Sequence, residues 1–164
     1  MTDLKILLWP DPRLKQRSNV VRMPGLWDKL AGTMTELMLA AGGVGLSAIQ
    51  VGCPYRLVVS KFAPPMYNPF ISGFDISKKR VTEGCLSLPG FYEEVYRHES
   101  IQLTYQDLDF KIREQTFTGL AAQCFQHELE HLEGHFFTDH LPSAVRSRIR
   151  GEVQKLKRAG KYGK

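Results

Sequence analysis

Two histidines four residues apart, His127 and His131, with a carboxylate at Glu128 between them, restrict this chain more than any other stretch of its sequence. At 3.6 residues per turn both imidazoles leave one face of a helix on adjacent turns, and Glu128 lies beside them, in reach of a water held by a shared ion. The segment therefore predicts a helix that carries a metal, and with it hydrolysis by an activated water. The pattern has only three fixed positions, so it also occurs on ordinary charged helices, and its meaning depends on a further ligand.

A hydrolytic metal takes three protein ligands and keeps one position open. His135 is the nearest candidate, but three histidines on successive turns span about 11 Å, against about 3.5 Å between ligand atoms on one ion. Gly134 is able to turn the chain as in zinc peptidases of the HExxHxxGxxH type, yet the place of their third histidine is held by Phe137. A glutamate on a following helix is a second peptidase solution, and Glu152 is the only glutamate after Glu133. Cys85, in Glu83-Gly84-Cys85-Leu86-Ser87, is a third candidate, although a lone cysteine is most often a small buried hydrophobe.

Gly43-Val44-Gly45-Leu46-Ser47-Ala48-Ile49-Gln50 lacks the third glycine of a dinucleotide fingerprint and the Gly-Lys-Ser/Thr of a phosphate loop, and by itself it reads as a flexible loop. Taken together and in order, GVGLSAIQ, EGCLS and QHELEH resemble the three signature motifs of the peptide deformylases, and the likeness runs from Leu4 to about Arg158. The resemblance implies that Cys85, His127 and His131 are metal ligands and Glu128 the general base. It assigns Gln50 and the backbone N–H of Leu86 to the developing oxyanion. It implies ferrous iron in the cell, with zinc, nickel or cobalt as substitutes, and a sulfur and nitrogen set suits such ions better than magnesium or calcium. The reaction implied is removal of the formyl group from N-formylmethionyl nascent peptides, with formate released; the alternative is another HExxH metallopeptidase.

In this scheme Gly43 and Gly45, without side chains, let a peptide lie against their backbone as an added strand, or serve a turn with positive φ. Cys124, on the apolar face before His127, is a candidate wall of a pocket for methionine. Three positions depart from the family's common pattern: Glu130 stands where Asp is usual, Ser47 replaces a common alanine and should be tolerated, and Gly42 stands where many members carry Glu. Glu130 is either a partner that orients a ligand imidazole or a surface charge. His98, His135 and His140 match no motif position and read as surface or structural residues.

At 164 residues, 43% of them hydrophobic, the chain is expected to be a single catalytic domain over residues 1–164, with a core that buries about 70% of the unfolded surface. No apolar run approaches the ~20 residues of a membrane span, and the start has neither a signal-peptide nor a transit-peptide layout. The three cysteines, Cys53, Cys85 and Cys124, are widely spaced and form no disulfide framework. The expected address is the cytoplasm, with no membrane partner.

The expected fold class is α+β: small antiparallel sheets packed around a central metal-binding helix, with an N-terminal core helix and a C-terminal amphipathic helix. Leu26, Leu30, Met34, Leu37, Met38 and Ala41 recur at helical spacing over residues 25–41, after Pro24 and before Gly42-Gly43, and the methionines read as packing. Strand-like pieces follow at 55–60, 66–72 and 79–82, the last leading into Cys85. Residues 100–106 and 110–117 form a hairpin through Asp107-Leu108-Asp109. A helix from Thr118 to Glu133, ended by Gly134, carries the two histidines.

Residues 143–164 hold eight Lys or Arg and one Glu, so the whole basic excess of the chain lies in this tail. Val145, Ile149, Val153 and Leu156 fall at helical spacing, which predicts an amphipathic helix over 145–158 with its basic face outward. The resemblance makes the ribosome a candidate partner for that face; a merely solvated basic face is the plain alternative.

Overall fold

The computed structural model describes residues 4–164 except Pro24 and Leu26. Its helices are α1 (Asp28–Ala40), α2 (Gly119–Leu132) and α3 (Ser143–Arg158). Its strands are β1 (Gly45–Ser47), β2 (Leu57–Ser60), β3 (Met66–Phe74), β4 (Lys78–Cys85), β5 (Leu88–His98), β6 (Ser100–Gln106) and β7 (Ile112–Thr118). All pairings between these strands are antiparallel: five form one sheet in the order β1-β2-β3-β6-β7, and β4 and β5 form a separate two-stranded sheet. The α+β expectation therefore holds.

α2 lies at the centre. From Cys124 to Leu132 every residue except Glu130 is buried, the signature of a helix enclosed on nearly all sides. Phe125, Leu129 and Leu132 pack against Val58, Ile101, Leu103 and Phe117 of the five-stranded sheet. Burying a side chain of that size contributes about 1.5–3 kcal/mol, so this layer fixes the helix that carries the histidines. α2 stops at Gly134, whose φ of +79° admits few other residues and whose Cα lies so close to the Lys15 carbonyl that a Cβ would approach its oxygen to 2.4 Å.

α1 covers another part of the sheet with Ala31, Met34 and Met38, the methionines packing among Leu46, Leu57 and Tyr67 as expected. Ala41 is exposed and lies beyond the helix, and the expected starting residues Pro24 and Leu26 lie outside the described residues. α3 presents Ile149 and Val153 to a third cluster with Leu14, Leu88, Phe91, Val95 and Phe137, flanked by the half-buried Val145 and Leu156. The four residues of the predicted stripe thus face the core, and Arg146, Arg148, Arg150, Lys155, Lys157 and Arg158 face outward.

Two strands were not foreseen. β1 occupies the segment read as a flexible loop: all of Gly45–Ser47 is buried and paired with Ser60, Val59 and Val58 of β2. β5 is the longest strand, and Pro89, Gly90 and the pair Glu93-Glu94 disguise its period of two, in which Phe91, Val95 and Arg97 point inward. The N-terminal segment ties these parts together through Leu7 N–H to the Gln50 carbonyl and Trp9 N–H to the Ser87 carbonyl, each 2.7 Å.

Candidate metal centre and active site

Cys85 ends β4, where the chain leaves the two-stranded sheet, and its sulfur faces the histidines of α2. Cys85 Sγ lies 3.2 Å from His131 Nε2, which lies 3.1 Å from His127 Nε2. All three ligand atoms fall within 4.8 Å of one another. Three electron-pair donors turned toward a common point inside a protein repel one another unless a cation or protons stand between them. The separations of 3.1 and 3.2 Å are close to the roughly 3.5 Å expected around one tetrahedral ion. The residues thus fit a divalent metal of intermediate softness. His135 lies apart, exposed beside Asp139, and Glu152 sits on the outer face of α3 near Arg148.

The orientation of His127 comes from a residue that the motif reading passed over. Glu83 Oε2 accepts from His127 Nδ1 at 2.9 Å, an arrangement that leaves Nε2 free to face the site. Arg97 in turn grips Glu83 through Nε at 2.7 Å and Nη2 at 2.9 Å. Burial opposes charge on Glu83, but the bonds from Arg97 and His127 outweigh it and hold the carboxyl down at about 2. Arg97 also binds Glu130 through Nη1, and through Nη2 at 2.9 Å, while His140 Nε2 lies 2.7 Å from Glu130 Oε1. Glu130 is therefore neither a direct partner of a ligand imidazole nor a free surface charge, because it completes the shell of a buried guanidinium. His140 belongs to the same structural cluster.

His131 Nδ1 is buried with no hydrogen-bond partner among the described residues, so packing holds that ring, with Phe136 edge-on at 4.8 Å. Burial and the neighbouring His127 both push its pKa down. Phe137, at the position where some zinc peptidases place a histidine, is buried instead and stacks on His127 at 5.9 Å.

Glu128 projects toward β1. Burial raises its carboxyl above the ordinary carboxylate range, against the pull of His127 and a bond from Ser47. Ser47 Oγ lies 2.7 Å from Glu128 Oε2 and 2.8 Å from the Glu128 carbonyl, so one hydroxyl proton serves two acceptors. The serine, expected to be tolerated, is thus accommodated and polar-bonded. Gln50 is buried on the 3-10 turn Ala48–Val51, with Oε1 accepting from Ser47 N–H at 2.9 Å. That bond fixes the amide and directs Nε2 toward Ser87 Oγ at 3.1 Å and Cys85 Sγ at 3.5 Å.

These groups open on a cleft of about 840 Å³, lined by Gly43, Gly45, Gln50, Cys85, Leu86, Cys124, His127 and Glu128, with His131 behind them. Neither Gly43 nor Gly45 has a positive φ; that conformation falls on Gly42, at +72°. The two glycines answer instead to close packing. A Cβ on Gly43 would come within 2.7 Å of Leu86 Cδ1, and one on Gly45 within 2.6 Å of Cys124 Sγ and 2.8 Å of Glu128 Oε1. Cys124 packs against β1 as well as lining the cleft, and burial keeps its thiol protonated.

The sequence model of the family described as "Polypeptide deformylase" matches residues 3–147. "Peptide deformylase" of Alkalilimnicola ehrlichii is 40% identical, over 98% of this chain and 94% of the relative. The crystal structure of peptide deformylase from Ehrlichia chaffeensis superposes with a TM-score of 0.90 at 31% identity, covering 96% of this chain and 98% of that one. The crystal structure of a peptide deformylase from Legionella pneumophila gives a TM-score of 0.87 at 36% identity, covering 95% and 96%.

Proposed function

The chain belongs to the polypeptide deformylase family, and from that premise we propose how its residues divide the work of removing the formyl group from newly made polypeptides. The enzyme is a metal-dependent hydrolase of N-terminal formamides, and a peptidase of another HExxH type finds no support. One observation carries the assignment of roles: the three segments that bear Gln50, Cys85 and the histidines meet at one cleft, around the Cys85, His127 and His131 donors.

Cys85, His127 and His131 hold the metal, ferrous iron in the cell, with zinc, nickel or cobalt as substitutes. When bound, the ion supplies Lewis-acid activation of water and of the formyl carbonyl. Glu128 accepts the proton released as water attacks the formyl carbon and passes it to the departing amine. Gln50 Nε2 and the Leu86 N–H donate to the carbonyl oxygen as it gains negative charge. The C–N bond of the formamide breaks as the new C–O bond is completed, giving formate and a free amino terminus. Glu83 and Arg97 hold the His127 ring, so the ligand direction does not depend on the metal alone. Gly43, Gly45 and Cys124 shape the wall for the peptide and its first side chain.

Residues 1–164 act in this reading as one catalytic domain, working in the cytoplasm on N-formylmethionyl nascent chains. The basic face of α3 contacts the ribosome; its support is the row of outward arginines and lysines on a helix whose other face is spent in the core. Among the described residues no helix is long and apolar enough to cross a membrane, and all three cysteines are free. The test is anaerobic purification, metal analysis, and assay on a formyl-methionyl peptide beside its unformylated counterpart. Formate release that requires Cys85 and Glu128 is expected, and cleavage of the unformylated peptide would overturn the reading.

A further inference from the structure

The last residues of the described chain return to the cleft. α3 ends at Arg158, and at Gly160, with φ +62°, the chain reverses as Lys161 N–H bonds the Leu156 carbonyl at 2.9 Å. Tyr162 then packs against the cluster formed by Leu14, Leu88 and the inner face of α3, with Lys157 Nζ over its ring at 5.8 Å. Its hydroxyl is shielded from water and finds no partner among the described residues, so the tyrosine is held by its ring. Gly163, at φ +78°, lies against Leu8 so tightly that a Cβ would meet Leu8 Cδ1 at 2.3 Å. These three contacts deliver Gly163 and Lys164 to the wall of the cavity that holds Gln50, Cys85, His127 and Glu128.

The charge there is distinctive. Lys164 is the only Lys or Arg among the described residues that line the cleft, and the carboxylates lining it, Glu83 and Glu128, are buried and engaged with Arg97 and Ser47. Lys164 is exposed on the cleft wall, so its ammonium is free to reach a side chain of a peptide that extends along the cleft beyond the formylmethionine. We propose that Lys164, positioned by Tyr162 and Gly163, forms a subsite for an acidic side chain at the second or third residue of the substrate. The proposal rests on the deformylase reading of the cleft.

An exposed pair of this kind is worth a modest factor, about threefold in kcat/KM. It is measured with the metal-loaded enzyme on amidated formyl-Met-Xaa-Xaa peptides in which both Xaa are Ser, Glu or Lys, so that the side chains carry the only substrate charges. The native enzyme should prefer Glu over Ser by about threefold, and rising salt should bring the ratio toward one. Lys164→Glu should invert the order to favour Lys, a change of about tenfold in the Glu to Lys ratio. Tyr162→Ala, which frees the segment but keeps its charge, should flatten the ratio. A Glu to Lys ratio unmoved by Lys164→Glu would overturn the subsite. Failure of the native enzyme to deformylate any of the three peptides would instead strike the reading of the cleft on which it rests.

Discussion

Gly45→Ala is expected to damage catalysis more than folding. The added Cβ would stand 2.6 Å from Cys124 Sγ, 2.8 Å from Glu128 Oε1 and 2.9 Å from Glu128 Cγ, each about 1 Å short of ordinary contact. β1 cannot retreat freely, because Gly45 is paired with Ser60, and α2 is held by Phe125 and Leu129 in the core. Overpacking of this kind costs about 1–3 kcal/mol, or roughly 3–10 °C in Tm for a chain of this length. Two of the three overlaps fall on the Glu128 side chain, and a shift of about 1 Å in the proposed general base is expected to cost on the order of 100-fold in turnover. The assay is kcat on a formyl-methionyl peptide, with metal content and thermal melting measured on the same preparation. Gly45→Ala combined with Cys124→Ala separates the two effects, because removing Sγ relieves one contact and leaves both contacts with Glu128. Stability should recover in part and turnover should not. A Gly45→Ala enzyme within about threefold of native kcat, or turnover regained along with stability in the double variant, would refute the reasoning.

Gln50→Leu should keep metal and fold yet lose about 100- to 1000-fold in kcat, and near-normal turnover would remove the amide from the mechanism. Glu83→Gln should weaken metal binding by about 10- to 100-fold, read by competition with a chelator, because a neutral amide holds the His127 Nδ1–H less firmly than the carboxylate. Reversing charge at Arg146, Arg150, Lys155 and Arg158 should abolish salt-sensitive co-sedimentation with ribosomes while leaving peptide turnover intact, since these side chains face away from the core. Deleting the helix is a poorer test, because Ile149 and Val153 belong to the core.

The histidine helix, its terminating glycine, the β6–β7 hairpin and the stripe of α3 were legible because each carries a periodicity or a stop signal of its own. The meeting of Cys85 with His127 and His131 was legible only through the order of three motifs, since no local rule brings residues 42 positions apart to one point. Glu83 and Arg97 are not legible because charged residues in a strand ordinarily face solvent. The signal was present in the alternation: Glu83 shares a strand face with Cys85, and Arg97 shares one with Phe91 and Val95, all of them buried. Gly45 was read for the substrate it leaves room for, whereas its packing partners come from a helix about 80 residues further along. Such a partner has no trace in the local sequence.

The separate two-stranded sheet has a thermodynamic consequence. A lone pair of strands is marginal in water, and β4 and β5 are held to the rest of the molecule through the Phe91 and Val95 side chains and the Arg97 ion cluster. Cys85 belongs to this hairpin and both histidines to α2, so an ion shared among them would cross-link two layers that chain connectivity leaves far apart. Metal occupancy and docking of the hairpin would then be one linked equilibrium, in which free metal concentration enters the folding free energy by mass action. An ion held there would also be a ligand of the native state, and oxidation of the Cys85 thiol would remove a fastener as well as a metal ligand.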